Sequence, residues 1–398
     1  MLLQQEYLSL LISKPVQEFI LKAICDKIDS LKISELLLKS HSTDERKIIM
    51  DYMILVPKFQ KKFETAALLL CDTLALEQST AKDIGFWKGF LWPKQGSVND
   101  LCCGMGGDSF FIPEPLKVTG VDLDPLRLEM YRYNTTQFQK EYSTVLDDVR
   151  TFTNEADYFT IDPARRQSKE ENQRFFANLT PSIAEVCELA KKYKGGMAKI
   201  PPGYPLDELP KDVEIIYLGK INDCRECLVL FGTLAANPGK VRAVMIEKEE
   251  IATEWISEAD RSELAKDLDI APLGEFIIEP IPLLVRSHLF VEIAEKKKLS
   301  PFSHGIAYLT GDAPIEEKGF YNFKVLETSP LSTSAVRQML KKHSIGKLTL
   351  KKRGVEIIPE NEIKRLAPKG KNEGVLFYTR LDGEKIAVLT QRVAYPLN

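Results

Sequence analysis

Short apolar runs alternate with helical stretches between Val98 and Phe231, and this alternation constrains the fold more than any other feature. Alternating strand and helix signals at this spacing predict an α/β fold with a parallel, doubly wound sheet. The last two runs are separated only by residues 218–225, which predicts that they pair as antiparallel strands. The predicted strands are 98–102, 118–122, 158–162, 196–200, 213–217 and 226–231.

The segments on either side of this sheet follow different patterns. Apolar residues in 1–85 recur near the helical period, and Ser42 and Glu45 have the spacing of a capping box, so this part is expected to be a helical domain. After the sheet domain, 86–235, mixed signals predict a small α+β domain of the ferredoxin-like kind and then a basic one. These are assigned to residues 236–325 and 326–398.

The two C-terminal units have their own predicted elements. The first is expected to contain strands 241–247 and 274–279 and helices 251–267 and 283–294. The second is expected to contain helices and strands that end in a hairpin turning at Asp382-Gly383, a dipeptide typical of tight hairpin turns. Its predicted elements are helix 334–343, strand 346–351, helix 360–366 and strands 374–379 and 385–390.

A glycine-rich segment, Asp100-Leu-Cys-Cys-Gly-Met-Gly-Gly-Asp108, follows the first predicted strand. Glycines at Gly104 and Gly106 allow the backbone to approach a nucleotide-like ligand at the carboxyl end of a strand. Asp100 adds a carboxylate that can accept hydrogen bonds from the ammonium of a methionine moiety, whereas a phosphate-binding loop would not favour this charge. Ser109 stands where a dinucleotide-binding fingerprint has its third glycine, which counts against a nicotinamide-dependent oxidoreductase.

Two further acids follow strand-like runs. Asp122 ends the second predicted strand and has the position of an acid that accepts hydrogen bonds from ribose hydroxyls. Its alternative role is structural, at the start of the helix that Asp124-Pro125 introduces. Asp148, which precedes Val149, is expected to accept a hydrogen bond from an adenine amine, and Asp147 is the alternative for that role.

The segment from Asp162 to Arg166 ends the third predicted strand, at the edge where ligands bind in such sheets. Asp162 could accept a hydrogen bond from an amine of the substrate, and the Pro163 region could orient the lone pair of that amine. Both residues are expected to be catalytic. Arg165 and Arg166 could hold a phosphate or a carboxylate of the substrate. The alternative is that this segment is a solvated loop that closes the strand.

These motifs resemble those of class I S-adenosylmethionine-dependent methyltransferases. The segments 100–108, 121–125 and 161–165 resemble motifs I, II and IV, with similarity to the trimethylguanosine-synthase-type branch. Residues 76–80 resemble the upstream segment that closes over the cofactor in that branch, and the layout is similar to bacterial methyltransferases with a THUMP-like C-terminal domain. The resemblance implies a Rossmann-like sheet and S-adenosylmethionine binding by Asp100, Gly104, Gly106 and Asp122. Further cofactor contacts are expected from residues Thr80, Cys102, Leu123, Asp148 and Val149.

The resemblance also implies an RNA substrate, although one position departs from the pattern. Nucleic-acid enzymes that methylate amines usually carry an aromatic residue after the motif IV proline to stack the target base, and here Ala164 and Arg165 follow it. Tyr204 is a candidate for that stacking. The alternative function is an RNA-binding protein with a vestigial methyltransferase fold.

The net charge of −3 conceals a basic segment. Residues 331–372 contain eleven lysines and arginines but three acids, a surplus of eight positive charges that leaves eleven negative charges on the rest of the chain. A basic segment on an acidic body favours a polyanionic partner such as RNA, and Lys351, Lys352 and Arg353 are expected to contact it. The alternatives are that these charges only solvate the surface or contact the acidic body.

Other classes of protein are less consistent with the sequence. Seven irregularly spaced cysteines do not form a disulfide framework, and no apolar stretch has the length of a membrane span, so a cytoplasmic protein is expected. The pair Cys224 and Cys227 has no second pair, and only four histidines exist, so no metal site is expected. The sequence leaves the oligomeric state open.

Overall fold

A computed structural model describes residues 4–153, 155–165, 179–264, 266–381 and 383–393. The side chains of residues 165, 262 and 263 are also outside the description. Within the described part, 18 strands form two large sheets and one two-stranded pair. The prediction at Arg166, and at Asp382 in the C-terminal hairpin, therefore lies outside the described residues.

In the described part of the chain, six α-helices precede the first strand. The capping box predicted at Ser42 is present, since its hydroxyl accepts from the Glu45 backbone N–H and the Glu45 carboxylate accepts from the Ser42 N–H. The buried apolar residues of the first five helices form one core that also includes Phe110 and Met130 of the adjoining sheet domain, whereas Ile84 and Trp87 of the sixth helix pack in a core of the central sheet. The helices are α1 (Leu8–Ile12), α2 (Lys14–Cys25), α3 (Ser30–Leu37), α4 (Thr43–Phe63), α5 (Thr73–Gln78) and α6 (Lys82–Gly89).

The central sheet has nine strands in the order β11-β10-β8-β9-β7-β4-β1-β2-β3. Pairing is parallel between β7, β4, β1, β2 and β3, while β9 is antiparallel to both of its neighbours. The elements in chain order are β1 (Ser97–Leu101), β2 (Lys117–Asp122), α7 (Pro125–Gln137), β3 (Ser143–Leu146), β4 (Tyr158–Ile161), β5 (Ala164–Arg165), β6 (Leu179–Thr180), α8 (Ile183–Ala190), β7 (Gly195–Ile200), β8 (Glu214–Lys220), β9 (Asp223–Gly232), β10 (Val241–Glu247) and β11 (Glu250–Ile256).

The predicted α/β fold with a doubly wound sheet is confirmed. The short link between β8 and β9 produces the antiparallel pair expected from the sequence, with Glu214 opposite Leu230. The strands at the centre of the sheet are buried on both faces, because helices cover them on either side, and this explains their continuous apolar runs. Strand β3 was not recognised in the sequence, since its burial is only partial.

One predicted helix is wrong. Residues 251–267 were expected to be helical, but Glu250–Ile256 forms the edge strand β11, and only Arg261–Leu264 is helical, as α9. Lys248 and Glu249 both adopt positive φ, and this tight turn folds β11 back onto β10. Because β11 is an edge strand with mostly solvated side chains, its apolar residues do not show the alternation of a half-buried strand.

The second sheet has seven strands in the order β13-β14-β12-β15-β18-β17-β16, and its neighbours pair antiparallel except β16 with β17. The expected helix 283–294 is interrupted at His288, whose φ is positive, so two helices form. The elements are β12 (Phe276–Pro280), α10 (Pro282–Arg286), α11 (Phe290–Lys297), β13 (Ser300–Pro301), β14 (Leu309–Gly311), β15 (Phe320–Pro330), α12 (Thr333–Lys342), β16 (Ile345–Lys352), α13 (Pro359–Leu366), β17 (Asn372–Leu381) and β18 (Glu384–Val393).

The strands of residues 236–325 are divided between the two sheets. Strands β10 and β11 extend the central sheet through the parallel pairing of β10 with β8. Strands β12–β14 instead join β15, which pairs with the C-terminal strand β18. Strand pairing between distant parts of the chain, rather than local sequence pattern, produces this arrangement.

The second sheet carries a separate core on each face. Helices α12 and α13 cover one face through apolar residues such as Val336, Leu340 and Leu366. Aromatic residues including Phe302, Tyr308 and Phe377 fill the other face. In the part of the chain that the structure describes, no helix combines the length and the apolar composition needed to cross a membrane.

Candidate active site at the carboxyl ends of the central strands

The acids singled out in the sequence lie at one edge of the central sheet. Asp100 is near the end of β1, Asp122 ends β2, and Asp162 directly follows β4. These three strands are parallel and adjacent, so their carboxyl ends meet at the same edge. Ligands of doubly wound sheets bind at that edge, and the sequence prediction of a shared site there is consistent with this geometry.

The loop after β1 has a left-handed backbone at three positions. Cys102, Gly104 and Gly106 all have positive φ, at 57°, 55° and 95°. No atom lies within 4 Å of where a Cβ of Gly104 would be, so this residue leaves open space beside the loop. At Gly106 the space is instead filled, because a Cβ would come within 2.8 Å of the Phe110 ring. The loop therefore offers exposed backbone on one side and packs tightly on the other.

Asp100 is a buried acid without a cationic partner among the described residues. Its Oδ2 accepts a hydrogen bond of 2.6 Å from the Ser109 hydroxyl, which also contacts the Tyr131 hydroxyl at 2.7 Å. Burial raises the pKa of Asp100 to about 8, although the hydrogen bond from Ser109 acts in the opposite direction. A carboxylate held in this way would be stabilised by a positively charged group in its vicinity.

Asp122 joins the glycine-rich loop to the start of α7. Its Oδ2 accepts from the Gly104 backbone N–H at 2.9 Å, and its Oδ1 accepts from the Asp124 N–H at 3.0 Å. The helix cap is Asp124, whose carboxylate accepts from the Leu126 N–H. Each oxygen of Asp122 retains acceptor capacity for a ligand hydroxyl. Leu123, beside it, is 60% exposed and presents an apolar surface at the same edge.

Asp148 already has a strong partner. The Arg150 guanidinium donates to both of its oxygens, with Nε 2.9 Å from Oδ1, and these hydrogen bonds lower the pKa of Asp148 to about 2. An adenine amine would have to share this carboxylate with Arg150. Val149 is buried in the main core of the sheet, and Asp147 accepts from the Asp148 N–H at 2.7 Å.

Asp162 lies beside a lysine that the sequence analysis did not consider. Its Oδ2 accepts from the Lys199 ammonium at 2.8 Å, and its side chain is 37% exposed. Burial raises the pKa of Asp162, and Lys199 opposes that effect. Pro163 is buried next to it. Ala164 and Arg165 form strand β5, and of Arg165 only the backbone is described.

Lys199 belongs to a chain of ion pairs that crosses the base of the site. Lys199 lies 3.7 Å from Glu226, which is 3.3 Å from the Lys88 ammonium, and Lys88 in turn is 2.5 Å from Asp108. We call the buried residues Lys88, Asp108, Lys199 and Glu226, together with the partly exposed Asp162, the buried charge network. Burial alone would raise the pKa of Asp108, but the Lys88 ammonium holds this pKa at about 2.

The upstream segment predicted to approach the cofactor packs against the glycine-rich loop. A Cβ at Gly107 would lie 2.9 Å from the Ser79 Cβ and 3.3 Å from the Thr80 backbone nitrogen, so only glycine allows this contact without a shift. The buried Thr80 hydroxyl donates to Glu226 at 2.8 Å. Thr80 is therefore part of the base of the site through the buried charge network.

Three members of this network were missed in the sequence. Lys88 lies on α6, Lys199 on β7 and Glu226 on β9, at positions separated by many residues. The available signal was a charged residue within an apolar run, as in Gly196-Met-Ala-Lys-Ile200. Such residues are seldom buried unless they are paired, but their partners are defined only by the fold.

The basic C-terminal residues singled out in the sequence mostly contact the chain itself. The Lys351 ammonium is 2.5 Å from Glu279, whose side chain is 10% exposed, and the Arg353 guanidinium is 4.0 Å from the same acid. Arg353 also lies over the Tyr308 ring and donates to the Ala307 carbonyl. Lys352 donates to the Ile357 carbonyl. Two of the three predicted contacts thus meet the acidic body of the same chain.

Other candidates from the sequence have structural environments. Tyr204 is half-buried and donates to Glu208 at 3.0 Å. Cys227 is fully buried and Cys224 partly so, and burial raises the pKa of both thiols. Among the residues with described positions, no group of histidine, cysteine, aspartate and glutamate has the arrangement of a metal site.

Comparison with known proteins agrees with this architecture. Residues 322–392 match the THUMP domain-like family. An uncharacterized S-adenosylmethionine-dependent methyltransferase is present in two strains of Mycobacterium tuberculosis, CDC 1551 and H37Rv. It is 26% identical over 333 residues, covering 81% of this chain and 87% of the relative.

A solved structure has the same architecture over almost the whole chain. The crystal structure of a protein from Porphyromonas gingivalis W83, provisionally assigned as a methyltransferase, superposes with a TM-score of 0.73 at 19% identity. The similarity covers 99% of this chain and 100% of that protein. The expected methyltransferase fold and THUMP-like C-terminal region are both confirmed. The chain thus shares the fold of that crystal structure over almost its whole length, and its residues 322–392 match a THUMP-like domain.

Proposed function

We propose that this protein is an S-adenosylmethionine-dependent methyltransferase that modifies RNA. The observation that carries the proposal is the convergence of Asp100, Asp122 and Asp162 with the glycine-rich loop at one edge of the central sheet. When bound, S-adenosylmethionine supplies a methyl group activated by a positively charged sulfonium. The protein then has to bind the cofactor, align the nucleophile and manage its proton.

The charges of the site support a cationic cofactor. Asp100 is buried with no ion-pair partner among the described residues. Its raised pKa reflects the free energy needed to ionise a carboxyl group that is removed from water. The ammonium of a methionine moiety would supply the missing positive charge. The buried charge network has three acids and two lysines, and therefore carries one surplus negative charge. The residues present thus fit the proposed cofactor.

Asp162 is the proposed contact to the methyl acceptor. One of its oxygens is bound to Lys199, and the other has no partner among the described residues. That oxygen can accept a hydrogen bond from the N–H or O–H of the nucleophile and so direct its lone pair toward the methyl group. Asp162 with Pro163 at the end of β4 is therefore proposed as catalytic, with Arg165 and Arg166 as substrate contacts.

Exposed lysines of the THUMP-like domain support an RNA substrate. Lys341, Lys364, Lys369 and Lys371 are exposed, and none of them pairs with an acid in the described part of the chain. Lys341 lies in α12 and Lys364 in α13, and Lys369 and Lys371 lie in the loop between α13 and β17. Exposed cations without acidic partners can contact a phosphate backbone. These lysines replace Lys351 and Arg353 as the stronger candidates.

The direct test is transfer of labelled methyl from S-adenosylmethionine to RNA from a strain that lacks the gene, followed by digestion to nucleosides. We expect one labelled nucleoside with the wild-type protein and none with Asp162→Ala. Asp157→Ala is the matched control, because Asp157 precedes the same strand β4 at the opposite edge of the sheet. Cofactor binding by calorimetry without methyl transfer to RNA would contradict the proposed activity and favour an RNA-binding protein with a vestigial methyltransferase fold.

RNA binding by the lysine surface can be tested separately. Charge reversal at Lys364, Lys369 and Lys371 should reduce the slope of log affinity against log salt by about 2, since each phosphate contact on a single strand contributes about 0.7. The matched control reverses three exposed lysines of the helical domain, Lys22, Lys39 and Lys47, and so changes the net charge equally. Equal slopes for the two triple variants would contradict a specific role for this surface.

A further inference from the structure

Asp162 is held in an environment that opposes its ionisation. Burial is the largest effect that raises the pKa of Asp162, and the carboxylates of Asp108 and Glu226 raise it further. The charge and the hydrogen bond of Lys199 act in the opposite direction. Among the groups that contact Asp162, the one that favours its ionised form is therefore Lys199, whose ammonium lies 2.8 Å from its Oδ2.

Lys199 is itself fixed by contacts on several sides. Its ammonium donates to the Gln78 carbonyl at 3.2 Å and lies 3.7 Å from Glu226, and its side chain is only 17% exposed. Burial would lower the pKa of Lys199, but the neighbouring acids raise it. Asp162 has the largest effect among these acids. Lys199 thus remains protonated, and two of the three N–H groups of its ammonium are held by hydrogen bonds to the Gln78 carbonyl and to Asp162.

These contacts connect the two halves of the site. Gln78 ends α5, immediately before Ser79 and Thr80, which pack on Gly107 of the glycine-rich loop. Glu226 accepts from the Thr80 hydroxyl and pairs with Lys88, the partner of Asp108 in that loop. Through Lys199, these contacts extend to Asp162, the proposed contact to the methyl acceptor.

We propose that Lys199 is the positioning residue of Asp162, keeping its carboxylate ionised with one oxygen bound so that the other remains available to the methyl acceptor. The inference rests on the proposed function for its catalytic consequence, but not for the state of the carboxylate. Lys199 does not touch the acceptor in this role. It acts through Asp162, whose ionised form would accept the hydrogen bond of the nucleophile and then the proton that the nucleophile loses when it gains the methyl group, the cofactor being released as the neutral thioether.

The first experiment measures the carboxylate directly. Carboxyl NMR of protein labelled with ¹³C-aspartate, with the signal assigned by its loss in Asp162→Asn, gives the pKa of Asp162. Lys199→Gln should raise this pKa by about 1–3 pH units, the usual influence of an opposite charge at this distance. Lys199→Arg should largely restore the wild-type value. Lys194→Gln is the matched control, because Lys194 forms an exposed 2.6 Å pair with Asp157 at the opposite edge.

The second experiment measures the consequence for transfer. With the same RNA as methyl acceptor, the acidic limb of the pH–rate profile should move to higher pH in Lys199→Gln by the same amount as the pKa of Asp162. Affinity for S-adenosylhomocysteine should change less than about threefold. This is well below the tenfold change that a loss of about 1.4 kcal/mol would produce. A merely structural lysine would lower activity at every pH and leave the limb in place.

The outcomes separate the inference from the proposed function. An unchanged pKa of Asp162 in Lys199→Gln, or failure of Lys199→Arg to restore it, would overturn the inference whatever the enzyme methylates. A shifted pKa together with absence of transfer by the wild-type protein would support the positioning role and contradict the RNA methyltransferase activity. If Lys199→Gln does not fold, NMR of ¹⁵N-lysine-labelled wild type and Asp162→Asn tests the contact between Lys199 and Asp162 instead. The Lys199 ammonium signal of the wild type should move in Asp162→Asn, and a signal that does not move would refute the contact.

Discussion

Replacing Asp100 with asparagine should stabilise the protein in the absence of its cofactor and at the same time weaken cofactor binding. In the folded protein, burial raises the pKa of Asp100 to about 8, whereas in an unfolded chain an aspartate has a pKa of about 3.9. Asparagine has nearly the same shape and can accept the hydrogen bond that the Ser109 hydroxyl donates. It has no proton to lose, so its contribution to stability does not depend on pH.

The sign and size of the effect follow from proton linkage. Between these two pKa values the folded state holds a proton on Asp100 that the unfolded state has released. The contribution of Asp100 to stability is therefore greatest below pH 4 and falls as the pH rises toward 8. The slope is about 1.4 kcal/mol per pH unit, so the stability advantage of Asp100→Asn should grow by about 3 kcal/mol between pH 5.5 and 7.5.

Urea unfolding followed by tryptophan fluorescence measures this difference. Trp87 and Trp92 are buried against the central sheet, and Trp255 lies on its edge strand β11, so their emission reports on the domain that contains Asp100. Comparing variant and wild type at each pH cancels the other titrating groups. Asp157→Asn is the matched control, because its lowered pKa leaves it fully ionised throughout this window.

A difference between Asp100→Asn and the wild type that stays constant from pH 5.5 to 7.5 would refute the reasoning, because it would mean that Asp100 ionises normally in the folded protein. The binding half of the prediction has its own test. Calorimetry should show that Asp100→Asn loses about 1.5–3 kcal/mol of affinity for S-adenosylhomocysteine, the range for a hydrogen bond to a charged group. Full affinity in the variant would remove Asp100 from the cofactor site.

Three further predictions concern other parts of the molecule. Asp122→Ala should weaken binding of S-adenosylhomocysteine by about 1–3 kcal/mol in calorimetry, and unchanged affinity would exclude Asp122 as a ribose acceptor. Gly107→Ala should lower the free energy of unfolding by about 1–3 kcal/mol in urea titrations, because its Cβ would crowd Ser79, and a neutral effect would contradict that packing. Glu279→Ala should release Lys351 and Arg353, so that RNA binding becomes steeper in salt by about 1.4, and an equal or shallower slope would show that these cations do not reach RNA.

Local signals in the sequence were sufficient for the central sheet and for the position of its acids. Buried parallel strands require continuous apolar runs, and each run ends at the edge where Asp100, Asp122 and Asp162 lie. The capping box at Ser42 and the N-cap at Asp124 were likewise recognisable, because capping depends on residues only two or three positions apart. Their roles toward cofactor and substrate remain predictions.

Sequence pattern was a poor guide where pairing partners are far apart. Edge strand β11 was taken for a helix, because an edge strand with solvated side chains has no strict alternation. Within residues 236–325, β10 pairs with β8 of the central sheet and β12 with β15 of the second sheet. Which strands become neighbours is decided by the burial of whole faces, and no local window contains that information.

The sequence by itself determined the fold class, the glycine-rich loop and the acids at the strand ends, since each depends on residues close together in the chain. Only the tertiary structure decided which charges meet. It joins Lys88, Lys199 and Glu226 beneath the loop, and it pairs Lys351 and Arg353 with Glu279, which leaves other lysines free. The physical reason is that a buried charge is tolerated only beside its counter-charge, and folding brings together counter-charges that lie more than a hundred residues apart.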